Sequence, residues 1–229
     1  MTRPPLTLLS SMAAREVLAE LIQGFMAQTG QTVTAAAAGG VEVARRIQSG
    51  DSADVVVLAD TAIDKLIASG QLRDGRVDLV KSGVAIAVRS GARQPDISTE
   101  AAVKAAVAQA DSLSYSTGPS GVYLEKLFER WGILESIRSR IVVPPPGIPV
   151  ASLVANGQVA LGFQQLSELL NVPGVEVVGP LPAAIQTITT FSAGISVRCE
   201  QPQVAAELLN YMRQPGAAAV KQRYGMEPA

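Results

Sequence analysis

Short apolar runs alternate with stretches of helical periodicity over the first 59 residues of this 229-residue chain. The runs Leu6–Leu9, Val33–Ala36 and Asp54–Leu58 read as strands. Between them, apolar residues recur at helical spacing in Ala14–Phe25 and Val41–Ile47. This order is typical of βαβ units, which build a parallel sheet with helices on its faces. The sequence therefore predicts an α/β fold.

A second set of strand and helix patterns begins near the middle of the chain. Strand Leu113–Ser116 precedes helix Val122–Trp131, and strand Ala160–Phe163 follows further on. Two C-terminal helices remain to pack on the first set. We therefore predict two α/β lobes with a ligand cleft between them. Lobe 1 comprises residues 1–83 and 192–229, lobe 2 comprises 84–191, and hinge strands cross near 80–88 and 188–196.

The composition excludes several functional classes. The formal net charge is −1 and no block of like charge occurs, whereas proteins that bind nucleic acid or anionic membranes carry a basic patch. No apolar run approaches the roughly 20 residues that span a bilayer. The chain has no histidine and a single cysteine, Cys199, so zinc, haem and Ser-His-Asp chemistry lose their main residues. We predict no metal and no cofactor.

Strand-to-helix junctions are the places where a ligand can bind, because the first N–H groups of a helix have no helical partner. Ser10 and Ser11 form the first junction, where two hydroxyls stand beside such N–H groups. Gly39 and Gly40 form the second, where a ligand can approach the bare backbone. Helix capping by serine and a simple tight turn explain these residues equally well.

The third junction is the richest in hydrogen-bond donors. Ser116, Thr117, Gly118 and Ser120 lie at the predicted start of a helix, with Tyr123 close behind. Four hydroxyl side chains in this segment exceed what helix capping requires, and the composition resembles an anion cradle. It is not a phosphate loop of the Walker A type, because the lysine of that motif is missing.

The fourth region joins a proline-rich turn to a glutamine pair. Gly147 and Val150 are candidate backbone donors at the start of a helix. Gln164 and Gln165 directly follow a predicted strand, so at least one amide should face the cleft. A structural role is expected for one of the pair.

Several segments together resemble the periplasmic molybdate-binding proteins of ABC transporters and their extracellular solute-binding relatives. The segments run in order as LTLLSSMAAREVLAELIQGFMAQTG, AAAAGGVEVARRIQSGDSADVVVLAD, SYSTGPSGVY, VANGQVALGFQQLSEL and QRYGMEP. The resemblance covers nearly the whole chain. It implies a type II periplasmic-binding-protein-like fold, export to the periplasm, a membrane ABC transporter as partner and a small anion as ligand. We expect a monomer.

The molybdate pattern is kept only in part. A serine remains at the first junction, as Ser10 or Ser11, but Gly39-Gly40 replaces the serine of the second. Gln165 stands where the family's tyrosine is expected. The lost hydroxyls favour another small anion, such as an organic carboxylate.

The alternative is an enzyme on the same fold, because aconitate isomerase is similar to this solute-binding family. An isomerase of a small unsaturated carboxylate needs a base, for which Glu168 and the hydroxyls of Ser120 and Tyr123 are the candidates. For a binding protein no catalytic residue is expected.

Overall fold

The chain divides into two compact units in a computed structural model that describes residues 4–145 and 147–229. One unit is formed by Met1–Ser82 and Thr190–Ala229, and the other by Gly83–Thr189. We call them unit 1 and unit 2. Two long strands, one on each crossing, carry the chain from one unit to the other.

The elements up to the first crossing follow the βα alternation that the sequence predicts. They are β1 (Leu6–Ser11), α1 (Arg15–Thr29), β2 (Val33–Ala38), α2 (Gly40–Gln48), β3 (Val55–Ala59), α3 (Asp60–Ala68) and the crossing strand β4 (Val77–Arg89). A one-turn 3-10 helix at Met12–Ala14 precedes α1.

The remaining elements form unit 2 and then return to unit 1. Unit 2 holds α4 (Glu100–Gln109), β5 (Leu113–Tyr115), α5 (Pro119–Arg130), α6 (Leu134–Ile137), α7 (Val150–Ala155), β6 (Leu161–Gln165), α8 (Leu166–Leu169) and β7 (Val175–Pro180). The second crossing strand β8 (Ile188–Ile195) leads to α9 (Pro202–Arg213), α10 (Ala218–Arg223) and β9 (Glu227–Pro228).

The sheet of unit 1 is buried on both faces. Strand β1 pairs in parallel with β2 on one side and β3 on the other, and β3 pairs antiparallel with β8. Along β3, Val55 and Val57 pack into the cluster that includes α1 and α9. Val56 and Leu58 pack into the opposite cluster with α2 and α3. This alternation follows from the two-residue period of a strand, and it places helices on both faces.

Unit 2 repeats the arrangement around the other half of β4. Strand β4 pairs antiparallel with β6 and β7, and β6 pairs in parallel with β5. Val84, Ile86 and Val88 face the cluster that includes α4, α5 and α6. Ala85 and Ala87 face α7 and α8. The small alanines on that side leave room for short helices to approach the sheet.

The candidate residues lie where parallel strands end, at one edge of the sheet in each unit. Strands β1, β2 and β3 all end at one edge of the sheet of unit 1, and each is followed directly by a helix. In unit 2, β5 and β6 end at a common edge in the same way. Among the described residues, no helix is long and apolar enough to cross a membrane.

Candidate functional site

The end of β1 lies beside the start of α2 in unit 1. Ser11, the last residue of β1, pairs in register with Ala38, the last residue of β2. Gly39 and Gly40 follow directly, so the structure brings the first two predicted junctions together. A Cβ at position 40 would lie 3.8 Å from the Cβ of Ser11. Ser10 is also buried here, with 2% of its surface exposed.

The hydroxyl of Ser11 has no hydrogen-bond partner within the described parts of the chain. The residue is only 7% exposed, and it caps the following 3-10 turn without a side-chain hydrogen bond. A buried hydroxyl without a partner costs about 1 to 3 kcal/mol. Such a group in a folded protein calls for an explanation, and a bound polar ligand is one.

The third junction forms a compact loop between β5 and α5 in unit 2. The hydroxyls of Ser116 and Ser120 hydrogen bond at 2.9 Å, and Ser120 is buried with 5% exposure. Gly118 is the N-cap of α5, and Pro119 occupies its first turn. The carbonyl of Gly118 accepts the N–H groups of Gly121 and Val122. Thr117 lies between Ser116 and the cap, so the predicted cluster is assembled at one helix start.

Gly121, the third residue of α5, borders this loop and is not among the residues predicted for the site. A Cβ at this position would overlap the carbonyl oxygen of Ser116, so no other residue fits without moving the backbone. The sequence signal was the second glycine of the GPSG segment. Gly121 therefore acts by holding the loop against the helix.

A cavity of about 260 Å³ adjoins the same loop. Ser116, Thr117 and Gly121 line it together with Tyr115 and Glu125, among others. Burial, and then the negative charge of Glu125, raise the pKa of the Tyr115 phenol. The phenol therefore stays protonated and neutral at physiological pH.

The proline-rich part of the fourth region forms a turn that leads into α7. The carbonyl of Pro145 accepts the N–H of Ile148, and Gly147 adopts φ 78°. This is the left-handed conformation that favours glycine. Val150, the first residue of α7, is buried with 1% exposure. Gly147 therefore shapes the turn, while Val150 offers an N–H at a helix start.

The amide of Gln164 is engaged at both ends by protein groups. Its Oε1 accepts the N–H of Ala151 at 3.0 Å, and its Nε2 donates to the Glu168 carboxylate at 2.9 Å. Gln164 thus caps α7 from the neighbouring strand, which is the structural role expected for one of the glutamine pair. Both glutamines lie within β6 rather than after it, which corrects the predicted end of the strand at Phe163.

Gln165 is the last residue of β6 and is 4% exposed. Its Nε2 donates to the Thr189 hydroxyl at 2.9 Å. It pairs with Val84 across the sheet. Its amide therefore lies at the same edge of unit 2 as the end of β5.

The candidate acid–base groups have protein partners. The Tyr123 hydroxyl donates to the carbonyl of Ile185 at 2.9 Å, and its ring packs against the core of unit 2. The partly buried Glu168 accepts the hydrogen bond from Gln164. A carboxylate held in place by an amide can act as a base, whereas the Tyr123 hydroxyl is already used by the fold.

Comparison with known proteins shows the family of this chain. The family of bacterial extracellular solute-binding proteins matches residues 6–227. The chain belongs to this family. The resemblance predicted from the sequence is therefore confirmed.

Among solved structures similar to this solute-binding protein is the periplasmic molybdate-binding protein of Azotobacter vinelandii. Its TM-score is 0.81 at 20% identity, over 98% of this chain and 99% of the other. The sulfate-binding protein of Mycobacterium tuberculosis H37Rv is similar with a TM-score of 0.81 at 14% identity, over 99% and 88% of the two chains. At these identities the similarity shows the fold, which is the predicted type II periplasmic-binding-protein-like fold.

A curated relative is much more similar in sequence. It is an aconitate isomerase from Pseudomonas sp, 38% identical over 232 residues, which span 97% of this chain and 87% of the relative. This chain thus has a relative that is named as an enzyme.

Proposed function

We propose that this solute-binding protein captures a small anion through backbone N–H groups and serine hydroxyls. The ligand set that we propose is the predicted one: Ser10, Ser11, Gly39, Gly40, Ser116, Thr117, Gly118, Ser120, Gly147, Val150, Gln164 and Gln165. Within it, Gln164 acts by holding Glu168 and the start of α7. The protein would work in the periplasm and deliver the anion to an ABC transporter.

The unpaired hydroxyl of Ser11 is the observation that carries this proposal. It is buried beside a glycine pair at the end of a strand, where the first N–H groups of α2 also lack helical partners. Helix N-termini attract anions because their N–H groups carry about half a positive charge. An oxygen atom of a bound anion would satisfy the hydroxyl and these N–H groups together.

A thermal-shift screen tests the binding function. The protein is heated with molybdate, tungstate, sulfate, phosphate, succinate or tricarballylate, each at several concentrations. A ligand at 100 times its Kd stabilises the folded state by about 2.7 kcal/mol, which raises the unfolding midpoint measurably. We expect one class of anion to do so. If no anion shifts the midpoint, and titration calorimetry also detects no binding, the proposal is wrong.

The similarity to aconitate isomerase supports a second function on the same fold. Converting trans-aconitate to its cis isomer requires removal of a proton from the methylene carbon and return of a proton to the vinylic carbon, with the double bond shifting between them. The number of atoms and the charge are unchanged. We propose the partly buried Glu168 as the base, because Gln164 fixes its orientation. The Ser120 hydroxyl is a second candidate for the proton transfer.

Proton NMR of trans-aconitate incubated with the protein in D₂O separates the two functions. An isomerase produces the cis isomer and incorporates solvent deuterium at the exchanged carbon, whereas a binding protein does neither. Glu168→Gln keeps the hydrogen-bonding shape but cannot accept the proton, so it should abolish turnover. Turnover by Glu168→Gln at the wild-type rate would exclude Glu168 as the base. The absence of turnover in the wild type would exclude this second function.

A further inference from the structure

The glycine pair before α2 is not required by the fold. Gly39 has φ −56° and ψ 137°, a backbone conformation open to any residue. A Cβ at position 39 would meet no atom within 4 Å. At position 40 a Cβ would lie 3.7 Å from the Leu58 side chain and 3.8 Å from the Cβ of Ser11, which are ordinary van der Waals distances. Alanine therefore fits at both positions.

Local energetics favour other residues at both positions. Gly39 is the N-cap of α2, where Ser, Thr, Asp or Asn would bond the free N–H groups of the first turn. Gly40 is the first residue of the nine-residue helix, where alanine has the higher helix propensity. Replacing a glycine in a compatible conformation also lowers the entropy of the unfolded chain. The pair therefore costs stability, so its presence points to a use other than folding.

Because Gly39 and Gly40 have no side chains, the space next to Ser11 is unoccupied. The space at position 40 borders Ser11 directly, and a Cβ at position 39 would have no atom of the described residues within 4 Å apart from its chain neighbours. Val41 follows at once and is 66% exposed, although it is a large apolar residue at a helix start. The Ser11 side chain and the space at position 40 thus adjoin one another at the start of a helix, and an exposed apolar side chain follows one residue later in the chain.

We propose that Gly39 and Gly40 determine ligand specificity by admitting a carboxylate with a carbon skeleton instead of a compact tetrahedral oxyanion. The inference rests on the proposed anion-binding function. A carboxylate group would take hydrogen bonds from Ser11 and the start of α2, while its carbon chain fills the space beside Gly39 and packs on Val41. A tetrahedral oxyanion offers nothing to the apolar side chain and leaves the space empty.

Titration calorimetry on Gly39→Ala and Gly40→Ala tests the inference. The probes are succinate and tricarballylate, which have no double bond to isomerise, and sulfate and molybdate. Gly216→Ala is the matched control, because Gly216 is exposed, has an ordinary φ, and would place its Cβ within 4 Å of no atom. Thermal unfolding of each variant is measured without ligand.

We expect the wild type to prefer a carboxylate, and each of the two variants to bind it at least tenfold more weakly. Their unfolding midpoints should equal or exceed that of the wild type, and Gly216→Ala should bind like the wild type. Wild-type affinity in both variants, or lowered unfolding midpoints, would overturn the inference and leave anion binding intact. A wild type that binds only sulfate or molybdate would also overturn the inference and leave anion binding intact. A wild type that binds none of the four probes would count against the proposed function itself.

Discussion

The first turn of α5 lies directly against the carbonyl of Ser116, because Gly121 has no side chain there. This close approach sets the shape of the loop from Ser116 to Ser120. It places the two serine hydroxyls 2.9 Å apart. The loop is therefore defined by backbone packing as well as by its hydroxyl groups.

Gly121→Ala should destabilise the protein by at least about 2 kcal/mol, because the new Cβ must displace the backbone of Ser116. Urea denaturation measures the change. Gly118→Ala is the matched control in the same loop, since its Cβ would lie 3.9 Å from the nearest atom and its φ is −85°. The control should change stability by less than about 0.5 kcal/mol. Equal stability of the two variants would contradict the steric argument.

Ser11→Ala should affect the free and the liganded protein in opposite directions. In the free protein it removes a buried hydroxyl that has no partner among the described residues, so the free energy of unfolding should stay the same or rise by up to about 1 kcal/mol. In the complex it removes a hydrogen bond to the ligand, and binding should weaken by about 1 to 3 kcal/mol.

Urea denaturation and calorimetry with the anion that stabilises the wild type measure the two effects of Ser11→Ala. The exposed Ser52→Ala serves as the control and should change neither quantity. Unchanged affinity in Ser11→Ala would show that the ligand does not use this hydroxyl.

Gln164→Leu should destabilise unit 2 by about 1 to 3 kcal/mol, because it leaves the buried N–H of Ala151 without its acceptor. It also frees the Glu168 carboxylate from its amide donor. The measurement is thermal or urea unfolding, with Gln158→Leu as an exposed control on the same unit. A loss no greater than that of the control would mean that the amide does not hold α7.

Lys221 should make stability depend on pH. It is 3% exposed, and burial, followed by the positive charge of Arg213, lowers the pKa of its ammonium group. The unfolded chain therefore binds this proton more tightly than the folded chain. The free energy of unfolding is therefore highest above the usual pKa of 10.5. It decreases as the pH falls from 10.5 through the lowered pKa of the folded chain.

Urea unfolding at pH 7, 8, 9 and 10 compares the wild type with Lys221→Met. The free energy of unfolding of the wild type should increase relative to that of the variant as the pH rises in this range. Lys65→Met, at an exposed lysine, is the control for general effects of pH. A difference between wild type and Lys221→Met that stays constant across the series would refute the coupling.

Much of the fold follows from apolar patterning alone. The apolar run of β3 predicts both of its ends to within one residue, and the periodicity of α1 predicts its start to within one residue, although α1 continues four residues past the last apolar position of that pattern to Thr29. The first hinge strand is predicted only near 80–88, but β4 extends back to Val77 because its other half belongs to unit 1. Strand β7 (Val175–Pro180) was missed, since its residues are only partly buried and their apolar pattern is weak.

The candidate site was predictable as a set of junctions but not as a set of contacts. The order of strands and helices predicts the junctions that hold Ser11 and Gly40, and the structure brings these two residues together because parallel strands end at one edge. Nothing in the sequence distinguishes Gln164, which caps α7, from Gln165, which bonds Thr189. The two side chains differ because they point to opposite faces of β6, and because α7 lies against only one of those faces. Such tertiary hydrogen bonds cannot be derived from local patterns.

Anion affinity should vary little between pH 5 and 8 for sulfate or any other anion of constant charge. The proposed donors are backbone N–H groups and hydroxyls, which do not titrate in this range, and the chain has no histidine. Calorimetry at pH 5, 6, 7 and 8 measures the effect for a bound anion of constant charge, and calorimetry at pH 7 and 8 measures it for a bound carboxylate, whose own charge changes below pH 7. We expect less than about a threefold change in Kd. A tenfold change would require a titrating group beside the ligand, and Glu168→Gln would show whether Glu168 is that group. Loss of the pH dependence in that variant would favour the acid–base chemistry of an isomerase over simple capture.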